Sequence, residues 1–146
     1  MERTFQREAD LRAFAAEFTR SLRPGDVVGL SGALGAGKTT FVRAAVNALH
    51  GTDPTTSPTF TFWHRYPAPQ TGPGALASAV DHLDLYRIDD PAELAELGLE
   101  EVFDDSSIVF VEWWENAPIL LPLRRYEITL EGMGDGPRRL RMTAPQ

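Results

Sequence analysis

Val27-Val28-Gly29-Leu30-Ser31-Gly32-Ala33-Leu34-Gly35-Ala36-Gly37-Lys38-Thr39-Thr40-Phe41 is the stretch on which the fold reading turns. Its first residues, with Asp26 ahead of them, form a short, β-branched apolar run, the profile of a buried strand. From Thr39 to Leu49, Phe41, Val42, Ala45, Val46 and Leu49 recur at helical spacing. Between strand and helix, Gly32–Thr39 satisfies G-x-x-x-x-G-K-[ST]. A glycine-rich turn can match this pattern by chance, but here it stands between the two elements the pattern requires.

The residue types suit the capture of a phosphate chain. Glycines let the backbone fold around an anion with its N–H groups pointing inward. The helix that begins near Lys38 aims its dipole and free N–H groups at the same anion. Lys38 can reach between β- and γ-phosphates, and the Thr39 hydroxyl is a hard oxygen suited to Mg²⁺. Gly32, Leu34, Gly35, Ala36, Gly37, Lys38, Thr39 and Thr40 are therefore the candidate nucleotide contacts. Lys38 is also the only lysine among 14 basic residues. A compact ammonium fits inside a tight anion loop where a planar guanidinium does not.

Composition sets the frame. The chain has 146 residues, 42% hydrophobic and 24% charged, as expected of one ordinary globular domain spanning residues 1–146. Its 21 acidic residues outnumber the basic ones, for a net charge of −7. Such a chain is poorly suited to gripping phosphate backbones unaided, so any RNA link is expected to run through a partner. The absence of cysteine removes disulfides, thiolate zinc sites and cysteine nucleophiles. Met1–Glu8 has no apolar core of a secretory signal, and no apolar run approaches the roughly 20 residues that span a bilayer. The expectation is a cytoplasmic protein with no membrane association.

Outward from the loop, Asp10–Leu22 carries Leu11, Phe14, Ala15, Phe18 and Leu22 at helical spacing and ends at Pro24-Gly25. Thr59–Tyr66 alternates polar and aromatic residues as a strand does. Pro67–Gly74 reads as a surface hairpin loop. Ala79–Leu83 and Ile108–Val111 are further strands, with a helical stretch at Pro91–Leu97 between them. Arg125–Leu130 and Arg139–Met142 read as a closing antiparallel pair. The order of elements predicts an α/β fold: a single P-loop NTPase domain whose mixed, mainly parallel β-sheet is flanked by helices and has antiparallel edge strands.

Hydrolysis needs more than the loop. In an open parallel sheet, the strand beside the loop strand is expected to end in an acid near Thr39. Ile108-Val109-Phe110-Val111-Glu112 has that form, the alternative being a strand-end glutamate in solvent. Asp84 is the second candidate, with a turn or cap role as the competing reading. Asp81, Asp89 and Asp90 read better as turn or cap residues. His82 reads as a packed, hydrogen-bonded histidine more readily than as a general base, and Trp113 and Trp114 as packing or interface residues. Ser57-Pro58-Thr59 is placed as a nucleotide-sensing loop would be, although a plain strand entry explains it equally. Arg124, Arg125, Arg138, Arg139 and Arg141 read as solvated strand arginines before a docking face.

Together, Gly35-Ala36-Gly37-Lys38-Thr39-Thr40-Phe41, Ser57-Pro58-Thr59-Phe60, His82-Leu83-Asp84-Leu85-Tyr86-Arg87 and Val111-Glu112-Trp113 resemble the TsaE (YjeE) family of ATPases of bacterial threonylcarbamoyladenosine tRNA modification. The resemblance covers nearly the whole chain. It implies binding of ATP and Mg²⁺, slow hydrolysis, and docking on the TsaB–TsaD pair. That pair transfers threonylcarbamoyl to adenosine 37 of tRNAs reading codons that begin with A. By matching positions, Lys38, Asp84 and Glu112 would be the catalytic set, with Thr39 and Glu112 as Mg²⁺ ligands, directly or through water. Asp84 would help position metal or water, and Thr59 would belong to a mobile switch segment. The chain departs from the family at three places. Ala33 stands where an acid is usual, Trp114 where proline often follows Glu-Trp, and the Pro67–Gly74 stretch is longer. The adenine end is open, with Phe5–Leu11 and the C-terminal strands as candidates.

A GTPase would need an Asn-Lys-x-Asp motif, which a chain whose one lysine is Lys38 lacks. The remaining alternatives are a nucleotide-dependent adaptor without useful hydrolysis and, more weakly, a small-molecule kinase. Oligomeric state is open.

Overall fold

The computed structural model describes residues 1–50, 62–67, 77, 79–96 and 98–146. Its strands are β1 (Glu2–Phe5), β2 (Val27–Ser31), β3 (Trp63–Pro67), β4 (Ala79–Asp84), β5 (Ile108–Glu112), β6 (Tyr126–Glu131) and β7 (Arg138–Thr143). They make one sheet in the order β1-β7-β6-β2-β5-β4-β3. The central run β6, β2, β5, β4 is parallel, while β7 and β1 on one side and β3 on the other are antiparallel. The sheet therefore has the expected mixed, mainly parallel form with antiparallel edges. The expected strand at 59–66 begins at Trp63, and Ser57, Pro58 and Thr59 lie outside the described residues, as do 68–74 of the predicted hairpin loop. β1 was not foreseen; four residues with one buried side chain leave little periodicity to read.

Two apolar clusters cover the two faces. On one, α1 (Glu8–Thr19) and α2 (Lys38–His50) pack over Val28, Leu30, Val80, Ile108, Phe110, Ile128 and Leu130. Phe41, Val42, Ala45, Val46 and Leu49 of α2 are all buried, as their spacing predicts. On the other face, Leu83, Leu85, Val109 and Val111 pack with Leu94 of the short helix α3 (Ala92–Glu96) and with Leu99, Ala117 and Leu121. Because β-strand side chains alternate, β2 and β5, covered on both faces, read as near-continuous apolar runs, whereas β4 interrupts its run with Asp81 and His82.

That alternation also corrects one residue. Asp81 is not a turn residue: it lies mid-strand in β4, fully buried, opposite Arg65 of β3. Its carboxylate accepts from Arg65 Nε at 2.9 Å and Nη2 at 3.2 Å, and from Trp63 Nε1 at 2.8 Å. Three donors satisfy a charge that would otherwise be too costly to bury. Asp90 keeps its expected role, accepting the Ala92 N–H at the start of α3. Among the described residues, no helix is long and apolar enough to cross a membrane.

Candidate functional site

The strand ends explain how the site forms. Residues 82 and 84 of β4 and 110 and 112 of β5 point to the face that α2 covers, since side chains repeat every second residue. Over most of each strand that face is core. At the C-terminal ends, where the strands pass beyond the apolar layer, the same positions carry His82, Asp84 and Glu112. The register sets Leu30 beside Glu112 and Glu112 beside Asp84. The backbone is held there on both sides: Leu85 N–H donates to Glu112 O, and Trp113 N–H to Leu30 O.

The loop from Gly32 to Gly37 returns the chain above these ends, and α2 begins at Lys38. Gly32 adopts φ +144°, and a Cβ there would collide with Leu130 O, so a side-chain-free residue is required. Thr39 Oγ1 donates to Glu112 Oε1 at 2.9 Å. His82 Nε2 lies 2.5 Å from Glu112 Oε2, so the buried carboxylate has a partner on each oxygen. Asp84 is half-buried and its Oδ1 accepts the Tyr86 N–H at 3.0 Å. It thus makes the turn contact and stands beside Glu112 as well. Burial pushes its pKa up, and the Glu112 charge adds to this against the Tyr86 hydrogen bond.

Lys38 is folded back on its own loop. Its ammonium donates to Gly32 O and, at 3.0 Å, to Ala33 O. It also stands 4.1 Å from the centre of the Trp113 ring, a cation–π distance. Burial lowers its pKa, opposed by the charges of Glu112, Glu115 and Asp84. Trp113 sits in the left-handed region at φ 57°, which turns the chain sharply after Glu112 and lays the indole across the loop. Tyr86 packs on that indole at 4.9 Å.

A cavity of about 540 Å³ opens above these groups. Leu34, Gly35, Gly37, Lys38, Thr39, Thr40, Asp84, Glu112 and Trp113 line it. Gly32 and Ala36 do not: Gly32 presents its carbonyl to Lys38, and Ala36 is buried in the core. The far end is formed by Gln6, Arg7, Glu8 and Leu11 near the start of α1 and by Gly134, Asp135, Gly136 and Arg138 at the β6–β7 turn. Three contributors were underread in the sequence. His82 is indeed packed and hydrogen-bonded, but its partner is Glu112; its position two before Asp84 on the same strand face was the available signal. Trp113 contacts Lys38, which nothing local shows. The expectation of solvated strand arginines suits Arg139 and Arg141, ion-paired at the surface with Glu2 and Glu131, whereas Arg138 directs its guanidinium onto backbone carbonyls of the β6–β7 turn and of Gly35.

A glycine loop between a core parallel strand and a helix, with acids on neighbouring strand ends, defines the P-loop nucleoside triphosphatase class. Within that class, the family described as Threonylcarbamoyl adenosine biosynthesis protein TsaE matches residues 5–140. The chain is 36% identical over 135 residues to the tRNA threonylcarbamoyladenosine biosynthesis protein TsaE of Bacillus subtilis, covering 92% of this chain and 80% of that one. It is 34% identical over 137 residues to the protein of the same name from Rickettsia bellii, covering 93% and 90%. A crystal structure of Bacillus subtilis YdiB superposes with a TM-score of 0.77 at 31% identity, covering 100% of this chain and 86% of that one. The chain belongs to the TsaE family, and its role lies in tRNA threonylcarbamoyladenosine biosynthesis.

Proposed function

We propose that this chain binds Mg–ATP in the cavity at the strand ends and hydrolyses it slowly, in support of the TsaB–TsaD pair acting on adenosine 37 of tRNA. The observation that carries the reading is the 2.9 Å contact between Thr39 Oγ1 and Glu112 Oε1 beneath the glycine loop. A hydroxyl and a carboxylate side by side form a hard-oxygen donor set that suits Mg²⁺. Among the described residues no group of three or more acids and histidines gathers as an all-protein metal cage. Mg²⁺ at a nucleotide needs none, because phosphates and waters supply its other ligands. Thr39 and Glu112 would hold the ion, which when bound neutralises charge on the transferring phosphoryl group.

Each remaining residue has a role that follows from its place. Loop amides and the α2 N-terminus receive the β-phosphate. Lys38 leaves its two carbonyl partners for the stronger attraction of the phosphate anions. His82 holds one oxygen of Glu112 so that the other faces Thr39. Asp84, beside Glu112, positions the attacking water. Gln6–Leu11 and the Gly134–Gly136 turn enclose the base. The net charge of −7 fits a protein that leaves tRNA to its partners.

Calorimetric titration with ATP tests the reading, followed by hydrolysis assays with and without TsaB and TsaD. Wild-type protein is expected to bind, and Lys38→Ala to bind about tenfold to a hundredfold more weakly, as loss of a charged hydrogen-bonding group predicts. Equal affinity in the variant rejects the placement. One observation favours a second reading: both Glu112 oxygens are already engaged, which leaves no obvious free base. Tight ATP binding with no turnover, alone or with partners, would decide for an adaptor whose docking follows nucleotide state.

A further inference from the structure

The guanidinium of Arg138 is turned back onto backbone carbonyls. Nη2 donates to Gly134 O at 2.7 Å and, across 103 positions of sequence, to Gly35 O at 3.1 Å. Nη1 donates to Gly136 O at 2.8 Å and Met133 O at 3.2 Å, with Pro137 O at 3.5 Å. One side chain thus gathers the carbonyls of the β6–β7 turn and ties that turn to the glycine loop. The turn is shaped for this. Gly132 has φ +142°, and a Cβ there would stand 2.5 Å from Pro137 O and 2.7 Å from Arg138 Cδ. Only glycine lets the arginine fold back over the hairpin.

We propose that Arg138 is a positioning residue for the nucleotide loop: by anchoring the Gly35 carbonyl, it holds the 33–38 backbone in its anion-receiving shape before ligand arrives. The inference rests on the reading of residues 32–39 as the nucleotide loop. A trans peptide sets its C=O and N–H on opposite sides. Fixing Gly35 O toward Arg138 therefore fixes the direction of the Ala36 N–H, which donates to Ala33 O at 3.1 Å and closes the loop. The space where a Gly35 Cβ would stand is open, with nothing within 4 Å, so no packing on that side holds the residue in place. A glycine-rich loop without such an anchor would have to be ordered by the ligand at the ligand's own cost in affinity.

The test is ADP titration by calorimetry on the full chain, with backbone hydrogen exchange measured without nucleotide. Arg138→Met is expected to bind ADP about tenfold more weakly, the size of one charge-assisted hydrogen bond. Its exchange should quicken across 33–38 while β2 and β5 keep their protection, a pattern that general destabilisation would not give. Arg138→Lys should fall between, because an ammonium keeps the charge but cannot span both sides of the fork. It also serves for both measurements should Arg138→Met fail to fold. Unchanged affinity and unchanged exchange, with Lys38→Ala still defective, overturn the anchor and leave the nucleotide reading standing. If the wild-type chain binds no ADP, the nucleotide reading fails, and unchanged exchange at 33–38 overturns the anchor independently.

Discussion

Thr39 Oγ1 and Glu112 Oε1 lie 2.9 Å apart although 73 positions separate them in the chain. One stands in the first turn of α2 and the other ends β5, and they meet because β2 and β5 are parallel neighbours with Leu30 beside Glu112. The contact is a product of strand order.

Glu112→Gln should keep the fold, since an amide can still face both His82 and Thr39. It should lose the anionic oxygen on which the proposed Mg²⁺ site would depend. The expected outcome is a melting temperature close to wild type, nucleotide binding without Mg²⁺ within a few-fold, and Mg²⁺-dependent hydrolysis reduced about a hundredfold or more. Normal turnover in the variant would make Glu112 a structural residue.

Tryptophan emission should follow the site. Trp113 covers the Lys38 ammonium at 4.1 Å, and under the proposed function Lys38 would leave that position to meet phosphate. Saturation with Mg–ATP should change the emission of the wild-type protein, and Trp113→Phe should abolish the change. Unaltered wild-type emission at saturation counts against the movement.

His64 predicts a pH dependence of stability. It faces His82 across the β3–β4 ladder, and burial, then the neighbouring His82, holds its pKa below the ordinary 6.5. A base with a depressed folded pKa binds fewer protons when folded than when unfolded. The stability associated with its neutral ring is complete above about pH 6.5 and is lost as the pH falls through that value to the lower folded pKa. Melting temperature should therefore drop as the pH falls below about 6.5, and His64→Gln should flatten the drop. Equal slopes in the two proteins would remove His64 as its source.

Packing beneath the site can be probed at Gly29. A Cβ there would come within 2.7 Å of Trp114 Cδ1. Gly29→Ala should cost about 1–3 kcal/mol in denaturant unfolding, as overpacking of a dense core does. Adding Trp114→Leu should recover part of the loss, because the Trp114 Nε1–H is buried without a hydrogen-bond partner and its removal gives up no such bond. Simple additivity of the two changes would show that the clash is relieved elsewhere.

Much of this was legible along the chain. Phe41, Val42, Ala45, Val46 and Leu49 announced α2 by their spacing, and four apolar residues before Glu112 announced a strand buried on both faces. Most boundaries moved by a residue or two, but α1 ends at Thr19, three short of Leu22, and β3 begins at Trp63, four past Thr59, because capping and pairing, not pattern, decide such ends. Asp81 was misread because an acid between strand residues looks like a turn until the opposing strand supplies Arg65 and Trp63.

The sequence by itself determined the parts whose physics is local: the glycine loop between strand and helix, the lone ammonium within it, the two core-facing helices, and the acids at the ends of apolar runs. Only the tertiary structure decided which of these meet. His82 became the partner of Glu112, Trp113 the cover of Lys38, and Arg138 the anchor of Gly35, because each contact depends on strand order and register. Those are set by how both faces of the sheet bury their apolar side chains together, and that information is spread over the whole chain.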